Sequence, residues 1–172
     1  MRRLPLLPFL LLPLLAGGAA TAKDSKPVSG KGPGHERAAA PELIEARKAM
    51  MHMAATLTFE SVMPAARNGT DVKRQQHAAE SLAYFGHSIA GLFPAGSLAP
   101  DSRASPAIWT NKADFDAKAK GFGDASTRLA ELAKAGDSIG FAAQAKVVAG
   151  GCNSCHSRYR TEEPAKAGAH KH

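Results

Sequence analysis

The chain of 172 residues holds two cysteines, three apart, in Cys152-Asn153-Ser154-Cys155-His156. That spacing suits a particular chemistry. Two such thiols add across the two vinyl groups of haem and form thioethers that dilution cannot undo. The next residue, His156, is then held beside the iron with an imidazole nitrogen to offer it. Cys152 and Cys155 therefore read as the attachment points of one haem c, and His156 as an iron ligand. Two other uses of paired cysteines compete. A thiol–disulfide redox pair belongs near a βαβ pattern, and no such pattern is evident. A zinc site needs further ligands at a set spacing, and none stands out.

Four stretches of helical periodicity must position this motif. The first spans about 41–63, with Leu43, Arg47, Met50, Met51, Ala54, Leu57 and Val62 recurring at threes and fours, and Pro41 suits its start. The second spans about 71–90, with Val72, Ala79, Leu82, Phe85 and Ile89 inward. The third spans about 108–135, where Phe115, Phe122 and Leu129 lie seven apart and Leu132 continues the stripe. The fourth spans about 137–160 and places Phe141, Ala145, Val148, Cys152 and Cys155 on one face. Short joints at Arg67-Asn68-Gly69 and Ala135-Gly136 make neighbours antiparallel, whereas 91–106, with Pro94, Gly96, Pro100 and Pro106, forms a long crossover. No segment alternates with period two. The expected fold is all-α: an antiparallel four-helix bundle with haem on its C-terminal helix.

The ends have a different composition. Arg2 and Arg3 precede a leucine-rich run to Leu15, and Ala20-Thr21-Ala22 closes with a small-x-small pattern. This is the layout of a secretory signal peptide over 1–22, cleaved after Ala22, and the apolar run is shorter than the ~20 residues of a membrane-spanning helix. Residues 23–40 are rich in Lys, Gly, Pro and Ser and read as a flexible linker, with a second loose tail over 161–172. The expected mature protein is periplasmic, with no stable membrane insertion. The formal charge of +7 includes the two arginines of the signal, which leaves +5. Mild basicity of this kind fits an acidic redox partner. Scattered basic residues and few aromatics exclude nucleic acid as the partner.

The segment GGCNSCHSRYR, so close to the C-terminus, resembles the class II cytochromes c, the cytochrome c prime family. SPAIWTNKADF is similar to the family's start of the third helix, GLFPAGS to its crossover loop and IEARKAMMHM to its first helix. The likeness covers roughly 41–160. It implies that Cys152 and Cys155 are the thioether cysteines and His156 the proximal ligand. It also implies that Arg160, one turn further on, is the basic residue beside the proximal face, where a solvated arginine near a helix C-terminus is the competing reading. Arg47 matches an arginine that approaches a haem propionate in relatives. A guanidinium suits that carboxylate. Lys48 stands where relatives often have Gln.

By the same likeness Met51, four residues after Arg47, falls on the distal position. A thioether there either bonds the iron, as in low-spin relatives, or fills the distal face and leaves iron five-coordinate and open to nitric oxide or carbon monoxide. Met50 and Met53 are lesser candidates, and His52 faces elsewhere on the helix. His87 reads as a satisfied or partly exposed side chain, and His35, His170 and His172 fall in the loose ends. The resemblance implies an electron carrier with a periplasmic redox protein as partner, or a binder of small gases, and not an enzyme. It also implies pairing of two copies through the first two helices.

Overall fold

The computed structural model describes residues 41–99 and 102–162. The signal peptide, the linker and the tail beyond Glu162 lie outside the described residues, as do His35, His170 and His172.

Four helical rods form. The first is α1 (Pro41–Thr56), continued by a π-helical turn (Leu57–Val62) and by α2 (Met63–Asn68). Proline explains the interruption. Pro64 has no N–H to donate, and its ring crowds the carbonyl four residues back. The wider π turn immediately before it absorbs that mismatch. The helix therefore runs past the expected end near Met63 and stops at Gly69, whose φ of 66° caps it.

The second rod is a 3₁₀ turn (Val72–Gln75), α3 (Gln76–Ser88) and a second 3₁₀ turn (Ile89–Leu92). The third begins with the short α4 (Ala107–Thr110), bends at Asn111 and continues as α5 (Lys112–Ala135). Gly136, with φ 75°, ends α5 and donates to Leu132 and Ala133 carbonyls. Asp137 then starts α6 (Ser138–Tyr159), its side chain accepting from the Gly140 N–H at 2.9 Å. Among the described residues there is no strand, only an isolated antiparallel bridge between Ala104 and Arg160.

Sequence periodicity and burial agree. Val72, Ala79, Leu82, Phe85 and Ile89 are all buried, and so are Phe115, Phe122, Leu129 and Leu132, with Phe141, Ala145 and Val148 from α6. The first rod differs in detail: Ile44 is the buried residue rather than Leu43, and Thr58 rather than Leu57. The closest helix pair is α3 against α5, where Gly86 lies over Gly123. A Cβ at Gly86 would meet the Gly123 Cα at 2.5 Å, so only glycine admits this approach. Lower in the bundle α6 packs against α2 and the π turn; α1 has sparser contacts, with α3.

Candidate functional site

An α-helix turns about 100° per residue, so Cys152, Cys155 and His156 share one side of α6 while Asn153 and Ser154 point away. Burial follows that division: the two thiols and the imidazole are half-buried, and Asn153 and Ser154 are exposed. Cys152 rests against the apolar core, and both cysteines are free thiols. Just before the motif, Gly151 lets α6 lie close on α5, since a Cβ there would stand 3.0 Å from the Phe122 ring.

The electrostatics suit neutral donors. Burial raises the Cys152 thiol above its ordinary value. Burial also raises Cys155, against the pull of Lys118 and with added push from the charges of Cys152 and Asp114. His156 is lowered, first by burial and then by the positive charges of Arg160 and Arg103. Its imidazole is thus held uncharged near neutral pH, with a lone pair available to a metal. Two thiols and a neutral imidazole on one helix face are a donor set that fits haem c and its iron.

Met50 and Met51 of α1 are partly buried and pack against the core, Met53 is 39 % exposed and His52 is exposed. Met51 lies between Arg47 and Ala54 on the stripe that α1 buries, whereas Met50 sits towards its edge. His87 is on the outer side, 4.0 Å from Asp124.

Arg47 is only 3 % exposed. Its Nη1 donates to the Ser97 carbonyl at 2.9 Å, its Nη2 to the Ser97 hydroxyl and its Nε to the Leu92 carbonyl. The guanidinium also stands 4.4 Å from the centre of the Phe93 ring. Burial lowers its pKa, and its partners among the described residues are neutral. Among the described residues three of its five N–H groups have acceptors. Sequence reasoning missed the crossover loop as its partner: Ser97 is fifty residues away, and no local pattern announces that contact.

Arg160 is exposed at the end of α6, with its backbone N–H on the His156 carbonyl at 3.3 Å. Thr161, expected to open a loose tail, is instead hydrogen-bonded, its N–H on the Arg103 carbonyl at 2.8 Å. Also missed was the Tyr159–Asp114 contact, in which the phenol donates to the carboxylate at 2.5 Å. Pairing of that kind depends on how α6 meets α5.

Comparisons with known proteins bear on the fold and the family. The family model described as Cytochrome C' matches residues 42–160. A cytochrome c-556 of Agrobacterium tumefaciens (strain B2A) is 44 % identical over 72 residues, which is 41 % of this chain and 57 % of the relative. A cytochrome c' of Pararhodospirillum photometricum is 30 % identical over 83 residues, 48 % of this chain and 66 % of the relative. The chain thus spans about half to two thirds of the length of the curated relatives it matches. Among solved structures, the nitric oxide complex of a cytochrome c prime variant from Alcaligenes xylosoxidans superposes with a TM-score of 0.64 at 23 % identity, over 71 % of this chain and 95 % of that one. A cytochrome c' described by its ligand-controlled dimer dissociation gives 0.64 at 25 % identity, over 70 % and 95 %.

Proposed function

The chain belongs to the cytochrome c' family, whose members carry covalently attached haem c, and from that premise we propose that it is a periplasmic monohaem electron carrier with His156 and Met51 as axial ligands. The observation that carries the reading is the division of the motif: Cys152, Cys155 and His156 half-buried on one side of α6, Asn153 and Ser154 outside.

Bound haem c supplies a one-electron couple at its iron. The chain's own residues do the rest. Cys152 and Cys155 fix the group to α6 as thioethers. His156, kept neutral by burial and by the neighbouring charges of Arg160 and Arg103, offers its nitrogen on the proximal side. Met51, on the inward stripe of α1, would hold the iron through its thioether; His/Met ligation would raise the potential and suit electron transfer. Arg160 adds positive charge beside the proximal imidazole. The Arg47 N–H groups without an acceptor among the described residues would be its donors to a propionate. A general acid–base pair on the distal side would be needed for peroxidase-like chemistry; His52 is exposed, and the reading is a carrier rather than an enzyme.

A second reading keeps the iron five-coordinate, with Met51 as an apolar cover and nitric oxide or carbon monoxide as ligand. The nitric oxide complex of the structural neighbour favours it. In either reading the signal peptide is cut after Ala22, the partner is a periplasmic redox protein or a small gas, and two copies pair as a homodimer.

Mass spectrometry and the ferric spectrum of the exported protein test this. The expected mass is the mature polypeptide plus one haem, and the expected spectrum is low-spin with a methionine-to-iron charge-transfer band that Met51→Ala removes. A colourless product with the bare polypeptide mass sinks the whole reading. A high-spin spectrum with ready carbon monoxide binding replaces the carrier with the gas binder.

A further inference from the structure

The crossover loop is fastened at its two ends to the two helices that bear the ligands just named. Its first part is clasped from α1. Arg47 holds the carbonyls of Leu92 and Ser97 and the Ser97 hydroxyl, and its guanidinium covers Phe93. The Ser97 hydroxyl in turn donates to the Pro94 carbonyl at 2.6 Å, and the Trp109 indole N–H reaches the same carbonyl at 2.7 Å. The loop's last part is sewn to the end of α6. Ser105 N–H donates to the Tyr159 carbonyl at 3.0 Å, Thr161 N–H to the Arg103 carbonyl at 2.8 Å and Arg103 Nε to the Thr161 carbonyl at 3.1 Å. Ring contacts run through the middle: Phe93 to Phe115 at 5.1 Å and Phe115 to Tyr159 at 5.2 Å between centroids, both edge-on.

Arg47 lies one turn before Met51, and Tyr159 lies three residues after His156. A continuous line of contacts thus runs from Arg47 through Phe93 of the loop and Phe115 of α5 to Tyr159. Among the described residues α6 meets the first rod chiefly at the π turn and α2, both after Met51 in the chain, so that at the level of Arg47 the clasp adds a polar anchor to the burial of Ile44 and Ala54.

We propose, building on the assignment of Met51 and His156 as the two axial positions, that Arg47 and Ser97 form a brace that sets the height and rotation of Met51 at the sixth position. Arg47 is then a positioning residue. Its planar fork meets three acceptors at fixed angles, which a lysine cannot reproduce. Loosening the clasp lets α1 move outwards, and exogenous ligands reach the iron more readily whether Met51 bonds it or only covers it.

Carbon monoxide association with the ferrous holoprotein reads the brace, and the ferric spectrum reads Met51. Ser97→Ala and Arg47→Lys are each expected to speed association by about tenfold, the scale of one lost hydrogen bond to a charged group. Ser97→Thr, which keeps the hydroxyl, is expected to restore the wild-type rate. Leu132→Ala, a cavity at the opposite end of α5, is expected to lower the melting temperature without changing the rate. An unchanged rate in Ser97→Ala, or an equal rise in Leu132→Ala, overturns the brace, whichever ferric spectrum the wild type gives. A high-spin wild-type spectrum overturns Met51 ligation alone, and a faster Ser97→Ala would then still support the brace. If Arg47→Lys yields no folded holoprotein, Ser97→Ala and Ser97→Thr decide.

Discussion

The phenol of Tyr159, the last residue of α6, donates to the carboxylate of Asp114 in the first turn of α5 at 2.5 Å. Arg158 and Lys118 lie 3.4 Å and 4.0 Å from the same carboxylate. Asp114 thereby ties the end of the haem-motif helix to the start of its neighbour.

This tie gives the fold a pH window. The Tyr159 hydrogen bond is the largest cause that lowers the Asp114 pKa, followed by the charges of Lys118 and Arg158. A carboxylate with a depressed folded pKa contributes stability that is present above its unfolded value of ~3.9 and disappears as pH falls through the folded value. Tyr159 itself is raised, by burial and then by Asp114, so its share is present below its unfolded value of ~10 and is lost as pH rises through the folded value. Tyr159→Phe is therefore expected to melt lower than wild type near pH 7. The gap should narrow at both extremes. Melting curves from pH 2 to 11 check this, and a gap that stays constant with pH contradicts it.

Two glycines of the bundle should respond in opposite directions to alanine. At Gly86 a Cβ would press on the Gly123 backbone at 2.5 Å and the Phe122 ring at 2.9 Å. Gly86→Ala is expected to lose about 1–3 kcal/mol, the ordinary range for overpacking. Gly121 is exposed in the middle of α5 with nothing within 4 Å of such an atom. Gly121→Ala is expected to gain up to ~1 kcal/mol from helix propensity. Chemical denaturation midpoints of the two variants decide both.

The contrast between these glycines shows where sequence reading ends. The inward stripe of α3 and the heptad-like spacing of Phe115, Phe122 and Leu129 are local periodicities, and each residue named on them is buried. The attachment motif is equally local, five residues long. The π turn was hidden because a proline inside a helix ordinarily ends or kinks it, whereas here the helix carries Pro64 by widening the turn before it. The Arg47 clasp and the Gly86–Gly123 approach are products of packing between segments 37 to 50 residues apart. Nothing in the neighbourhood of either residue encodes its partner.

Thr58, in the π turn, is fully buried, and its hydroxyl has no hydrogen-bond partner among the described residues. A buried polar group without a partner costs about 1–3 kcal/mol. Valine has nearly the same shape and the same branching at Cβ. Thr58→Val is expected to raise stability by about 1 kcal/mol, read as a higher denaturant midpoint with an unchanged slope. A loss instead would mean that the hydroxyl is satisfied in solution.

The last expectation concerns the chain without its cofactor. The core is rich in alanine, with Ala54, Ala65, Ala79, Ala119, Ala130, Ala133 and Ala145 all buried, and each removes little apolar area from water. Of the largest fully buried apolar side chains, Leu82, Leu129, Phe141 and Val148 lie on α3, α5 and α6, with Val62 in the π turn and Ile108 on α4, and none lies on α1. At the motif end Met50, Met51 and Cys152 are only partly buried. Stability in the double variant Cys152→Ala, Cys155→Ala should therefore be uneven. Hydrogen exchange is expected to be fastest in α1 and in the last turns of α6 and slowest across α3 and α5, with a broad melt by circular dichroism. Uniform protection with one sharp, native-like transition would show that the polypeptide alone supplies the packing, and that haem adds chemistry without adding structure.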